Sequence, residues 1–272
     1  MRIGPGLVVA CAFAAAPAFA QTPAVVNGTL ESRAATQPAG REISEIISSA
    51  SAPVWVGYSV PVNRRDGEAG CWSAGDLTGR TRVGPLNLEG ADTLFVLYRI
   101  ADRTVQRIRI ASPECPLDTG GLTLQWLTGV RPGDSIDWLN TLATGDSSRR
   151  LANNATMAIA LHGDQQATER LIALARSARS SDVRGTALFW LAQRAGDKAV
   201  GTITQALEDP ETEVRKQAVF ALSQLPKDES VPKLIEVART HRDAAVRKQA
   251  MFWLGQSRDP RALTFFEQIL TQ

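Results

Sequence analysis

The sequence predicts an α+β chain, with a small, disulfide-braced β-rich region over 41–144 followed by an all-α solenoid of about four helix pairs over 146–272. Three observations carry that prediction. A nine-residue phrase recurs as Val183-Arg184-Gly-Thr-Ala187-Leu-Phe189-Trp190-Leu191, Val214-Arg215-Lys-Gln-Ala218-Val-Phe220-Ala221-Leu222 and Val246-Arg247-Lys-Gln-Ala250-Met-Phe252-Trp253-Leu254, at steps of 31 and 32 residues. A fixed period of that length marks stacked units that bury their apolar faces only against neighbours. Upstream, from Pro53, the apolar pattern changes to a period of two. The third observation is a pair of cysteines, Cys71 and Cys115, in a chain that opens with the layout of an export signal.

That opening has Arg2 as its positive end, Leu7 to Ala16 as its apolar run and Ala18-Phe19-Ala20 as a small-x-small cleavage site before Gln21. It is too short to span a membrane, and it predicts an exported, periplasmic or secreted protein cleaved near Ala20. The stretch Val8-Val9-Ala10-Cys11 resembles a lipoprotein processing site. Anchoring there would leave only ten residues for the signal, and the apolar run continues past Cys11, so soluble export is the favoured reading. A content of 44% hydrophobic and 21% charged residues excludes a disordered chain. A formal net charge of +2 gives no electrostatic basis for a nucleic-acid or anionic-membrane partner. In an exported chain the even pair Cys71 and Cys115 reads as a disulfide. Closing that loop is worth roughly 4 kcal/mol in the chain-entropy model.

Residues 21–40 are small, polar and Pro/Gly-punctuated, and read as a flexible leader. Ile43, Ile46 and Ile47 then share one helical face. Val54 to Val60 is rich in aromatic and β-branched residues and predicts a strand. Asn63 to Gly70, with Arg64, Arg65 and Asp66, reads as a loop. Thr93–Ile100 and Thr104–Ile110, joined by Ala101-Asp102-Arg103, predict a β-hairpin. In its second strand Ile108 and Ile110 oppose Arg107 and Arg109, which suits a sheet with one wet face. Leu122 to Leu127 predicts a further strand, and Asp134 a helix cap before Ile136, Leu139 and Leu142.

Beyond the boundary at Thr144 to Ser148, paired helices are predicted throughout. The first helix of each pair carries the repeated phrase, with a fainter copy at Leu151 to Ile159. Breaks follow at His162-Gly163-Asp164, Ala195-Gly196-Asp197, Pro226-Lys227-Asp228 and Ser257-Arg258-Asp259, where Gly suits a helix stop and Asp an N-cap. The acid-x-Val-Arg start, the alanine five residues into the phrase and the Gly/Pro-Asp turn resemble the short HEAT-like repeats of the phycobilin-lyase type. The resemblance covers about 146–272. Asp182-Val183-Arg184 and Glu213-x-Arg215 keep the family's acid–arginine pair, Ala245 replaces the acid in the last copy, and the first copy lacks Val-Arg. Such repeats serve as scaffolds, inhibitors, adaptors and occasional enzymes, so the resemblance implies a fold rather than an activity. The N-terminal half resembles only uncharacterised exported proteins.

No constellation for catalysis, cofactor or metal emerges. Arg184, Arg215 and Arg247 form a ladder read as structural, each bonding the acid or helix end of the adjacent repeat. Adjacent Phe-Trp residues cannot share one face of a helix, since neighbours lie about 100° apart. Trp190 and Trp253, together with Lys216, Lys248 and a partly exposed Phe265, are therefore candidate partner-binding residues. His162 and His241 read as helix-end partners rather than ligands, and Asp66, Glu68, Asp76 and Asp92 as solvated loop charges. The leading functional reading is an exported, non-enzymatic scaffold that docks a protein or peptide along the inner face of the stack, without a cofactor or an integral membrane segment. The alternatives are a lyase-like enzyme or enzyme auxiliary, as the resemblance implies, and an envelope signalling or stress regulator.

Overall fold

The computed structural model describes residues 22–62, 92–195 and 199–271. Cys71 and the acidic positions Asp66, Glu68 and Asp76 lie outside them, and so does the export signal. A five-stranded sheet fills the N-terminal part, in the order β2 (Thr29–Ala34), β7 (Thr123–Thr128), β3 (Val54–Pro61), β4 (Thr93–Ala101) and β5 (Thr104–Ala111). The two apolar runs become the interior strands β3 and β4, paired antiparallel and buried on both faces. The β4–β5 hairpin turns at Asp102 and Arg103, both with positive φ (52° and 54°), as a tight two-residue loop of matching twist requires.

Because side chains alternate along a strand, the sheet feeds two cores. Val56, Tyr58, Val60, Val96, Tyr98 and Ile108 face helices α1 (Ala39–Ser49) and α2 (Pro132–Thr144) and join the core that continues into the repeats. Trp55, Phe95, Leu97 and Trp126 form a separate cluster on the opposite face, with Phe95 set edge-on to Trp126 at 4.7 Å.

The stretch read as a flexible leader is part of this sheet. A short strand, β1 (Val25–Val26), pairs in parallel with β6 (Leu117–Asp118), and β2 pairs in parallel with β7 as an edge strand. The polar composition of β2 reflects its exposed edge, not absence of structure. Glu42 ties the following turn down. Its Oε1 accepts hydrogen bonds from the backbone N–H of Thr36 (2.7 Å) and Gln37 (3.0 Å), and Arg33 pairs with Oε2. Burial pushes the Glu42 carboxyl up, but these donors more than offset it and hold its pKa low.

Four helix pairs follow: α3 (Arg149–Leu161) with α4 (Gln165–Ser177), α5 (Ser181–Ala195) with α6 (Val200–Gln205), α7 (Thr212–Ser223) with α8 (Lys227–Thr240), and α9 (Ala244–Ser257) with α10 (Pro260–Leu270). Asp164 and Asp259 cap α4 and α10 as expected, whereas Asp228 lies inside the first turn of α8 behind Pro226. Asp134 is likewise not a cap: α2 starts two residues earlier at Pro132, and Asp134 pairs with Arg131 at 2.8 Å. The first helices α3, α5, α7 and α9 pack side by side along the stack, while the second helices barely touch one another.

Sheet and stack share one continuous core. At the seam Val62 bridges His162, and the Gly163 N–H donates to Pro61 O at 2.8 Å.

Candidate interaction surface

Each repeated arginine begins a first helix and turns its guanidinium back onto the loop before it. Arg184 donates to the carbonyls of Ala178 (2.9 Å) and Arg179 (3.2 Å), Arg215 to those of Asp209 (2.6 Å) and Pro210 (3.0 Å), and Arg247 to those of His241 (2.7 Å) and Arg242 (3.0 Å). The first two also reach forward. Arg184 grips Asp209 with two bonds of 2.8 and 2.9 Å, and Arg215 meets Asp243 at 2.5 Å. The Asp209 and Asp243 side chains in turn accept from the N–H of Glu211 and Ala245, at the start of the next first helix. The acids expected from the phrase itself go elsewhere: Asp182 pairs with Arg149 and Glu213 with Lys216. Two residues before the arginine on the same helix, they sit on its solvent side.

Across the first-helix row runs a ladder of rings. Trp190 lies edge-on to Phe189 (5.1 Å), Phe189 stacks on Phe220 (5.7 Å, planes 4° apart), Phe220 meets Trp253 (4.9 Å) and Trp253 abuts Phe252 (5.0 Å). Trp190 and Trp253 are half-buried against the core, and Phe252 is the open rung at 52% exposure. The indole N–H of Trp253 has no acceptor among the described residues. Glutamines stand one turn further along all three helices. Gln193 Nε2 donates to Gln224 Oε1 at 3.3 Å, and Gln256 holds the same place in α9. A pocket of about 510 Å³ opens on this row between α3, α5 and α7, lined by Arg149, Asp182, Gly185, Phe189, Glu213 and Gln217 among others. A second depression, of about 380 Å³, lies on the far side between α6 and α8. Its Glu208 and Arg242 pair with each other at 3.0 Å.

A known family model, that of HEAT repeats, matches residues 168–250 and 200–272. Residues 168–272 are HEAT repeats. No match was found among curated proteins. Among solved structures, the X-ray structure of YibA from E. coli is 20% identical, covering 51% of this chain and 54% of YibA, with a TM-score of 0.37. The chain thus spans about half the length of YibA. An engineered protein is 22% identical, over 48% of this chain and 58% of its own, with a TM-score of 0.26. A designed armadillo repeat protein in complex with the peptide (KR)4 is 17% identical, over 50% of this chain and 70% of its own, also at 0.26.

The other residues singled out in the sequence fall variously on the HEAT stack. Lys216 is tied to Glu213 at 2.8 Å, while Lys248 is exposed and makes no ion pair among the described residues. Phe265, expected to be exposed on the terminal face, is buried at 2%, under the guanidinium of Arg239 and beside Phe266. Four apolar residues in six left the phase of α10 open. The helix turns Phe265 inward and leaves Leu263 and Leu270 bare, at 62% and 84%. Cys115 is buried just before β6.

Sequence reasoning missed Arg194 altogether. From the end of α5 it reaches back one repeat and donates to the carbonyls of Ala160 (2.8 Å), His162 and Asp164. Only its placement near a C-terminus, suited to bonding helix-end carbonyls, hinted at this.

One cluster has the outward form of a catalytic pair. Ser135 Oγ lies 2.8 Å from His162 Nε2, while His162 Nδ1 donates to the carbonyl of Ala158 at 2.7 Å. Both residues are fully buried, none of the described pockets reaches them, and among the described residues no carboxylate bonds the imidazole, whose Nδ1 is taken by a backbone carbonyl. The pair holds the sheet to the stack; it does not offer a nucleophile to a substrate. Among the described residues no group of three or more His, Cys, Asp or Glu side chains could hold a metal ion, and no helix is long and apolar enough to cross a membrane.

Proposed function

We propose that this protein is an exported, non-enzymatic interaction scaffold that docks an extended segment of a partner protein along the first-helix row of its HEAT repeats. The observation that carries the reading is the ring ladder from Trp190 to Phe252, half-buried and ending in an open rung. Aromatic side chains supply large contact area and lead among binding hot spots. The flanking amides of Gln193, Gln224 and Gln256 can each donate and accept, as a peptide backbone does. The rungs are held in place by packing before any ligand arrives, so little ordering entropy opposes binding. Export is supported by the signal layout of residues 1–20, and in an oxidising compartment Cys115 would pair with Cys71.

Peptides selected from a random phage-displayed library on the immobilised protein test the docking surface. They are expected to lose binding to Phe252→Asp, a substitution at a half-exposed rung that gives up one edge contact with Trp253 and should lower the melting temperature by no more than about 5 °C. Binding indifferent to Phe252→Asp would move the interface off this row. Fractionation with N-terminal sequencing tests export, and a retained Met1 in the cytoplasmic fraction would overturn it.

A further inference from the structure

The 510 Å³ pocket on the first-helix row is lined at a place where one repeat departs from the pattern of the next two. The position after the repeated arginine is lysine in α7 (Lys216) and α9 (Lys248), but glycine in α5 (Gly185). In α7 the lysine pairs with the acid three residues earlier, Glu213, at 2.8 Å. In α5 the acid at that place, Asp182, is retained while the lysine is gone. A Cβ at Gly185 would stand 3.1 Å from Gln217 Cγ, and both residues line the pocket, so a side chain there would be added at the pocket wall. The pocket thus lies where a lysine of this repeat would be added, with the acid three residues before it, Asp182, in the wall.

We propose that this pocket takes the side chain of a lysine from the docked segment. The inference rests on the docking surface described above and adds its chemical preference. The incoming ammonium would meet Asp182 on one wall and Glu213 on the other, and the ring of Phe189, which lines the pocket, adds a cation–π contact. Asn153 Oδ1, which accepts from Thr186 Oγ1 at 3.2 Å, adds a neutral acceptor at the rim. The present partner of Asp182 is Arg149, at 2.5 Å, whose side chain is largely exposed. Exposed pairs of this kind contribute little and exchange readily, so Arg149 can yield the carboxylate to the ligand at small cost.

The library-selected peptides also decide this. Expected is a lysine enriched at one position, with affinity falling at least about ten-fold, equivalent to roughly 1.4 kcal/mol, when that lysine is acetylated. Gly185→Lys fills the pocket with a tethered lysine and restores the pattern of the next two repeats. Its Cβ presses on Gln217 Cγ, which opposes the gain in helix propensity, so Gly185→Ala, which adds that Cβ without the amine, is the control: both should melt together, and Gly185→Lys alone should lose binding by a similar factor. Asp182→Asn, which leaves the pocket open, should weaken lysine peptides alone. Peptides that bind Gly185→Lys as tightly as the parent but fail on Phe252→Asp would overturn the lysine pocket and leave the docking surface standing. Peptides indifferent to both variants, or no selectable peptide at all, would overturn both.

Discussion

Ser135 Oγ donates to His162 Nε2 across 2.8 Å, joining the helix that lies on the sheet to the turn between α3 and α4, the two helices of the first pair. The direction of every proton in this chain follows from one carbonyl. Ala158 O can only accept, so His162 carries its proton on Nδ1 and accepts at Nε2. Tyr58 then donates to Ser135 (2.7 Å) and Tyr98 to Tyr58 (2.6 Å). Burial raises both tyrosines, Tyr58 to about 12, so neither ionises near neutrality. The chain satisfies four buried polar groups only while His162 stays neutral.

Acid should therefore loosen the seam. Burial lowers the His162 pKa to about 4 from its ordinary 6.5. Between those values the unfolded chain binds a proton that the folded one refuses. Stability is then complete above pH 6.5, falls as pH drops through the window and levels off below 4. The full loss is on the order of 3 kcal/mol. Urea unfolding at pH 7.5, 5.5 and 4.5 measures it, with His162→Gln less stable at pH 7.5 and flatter across the series. Equal stability of the parent at pH 7.5 and 4.5 would mean that His162 is not held neutral.

The parts of this fold that the sequence discloses are those whose partners lie close along the chain. The Val-Arg phrase, the caps Asp164 and Asp259 and the doubly buried strands β3 and β4 all have local signatures. Strand β2 has none, because Thr29–Ala34 is an exposed edge whose partner β7 begins at Thr123. The forward reach of Arg184 is hidden for a related reason. An acid stands two residues away at Asp182, but the helix places it on the solvent side, and the acid actually gripped is Asp209. The vacancy at Gly185 shows only when three repeats are aligned and the pocket is seen.

The phase of α10 gives a paired prediction. Phe265→Ala removes a buried ring and should cost about 3 kcal/mol or more. Leu270→Asp, at the bare end of the same helix, should change stability by less than about 0.5 kcal/mol. Thermal melts of the two variants separate the assignments, and the opposite ranking would rotate the helix.

Cys71 and Cys115 should be joined in the exported protein. Non-reducing peptide mapping should recover a cross-linked fragment containing both, and Cys115→Ser should lower stability by about 2–5 kcal/mol. Quantitative alkylation of both thiols in the unreduced, freshly isolated protein would exclude the bond.

The arginine ladder supplies its own control. Arg184 and Arg215 each bond two carbonyls behind and an aspartate ahead, whereas Arg247, among the described residues, bonds the carbonyls alone. Removing Arg184 leaves Asp209 without its main partner in a half-buried site, where charged hydrogen bonds are worth more than at the surface. Arg184→Ala should thus cost about 2–3 kcal/mol and Arg215→Ala about 1–3. Arg247→Ala should cost no more than about half as much as Arg184→Ala. A double-mutant cycle on Arg184 and Asp209 should return a coupling of at least about 1 kcal/mol. Arg184 holds the Asp209 carboxyl below its ordinary pKa against the opposing pull of burial, so the coupling should persist at pH 5. If Arg184→Ala and Arg247→Ala unfold at the same denaturant concentration, the forward clamp contributes nothing. The ladder would then be free to serve as a binding stripe, which loss of peptide binding by Arg184→Ala at unchanged stability would reveal.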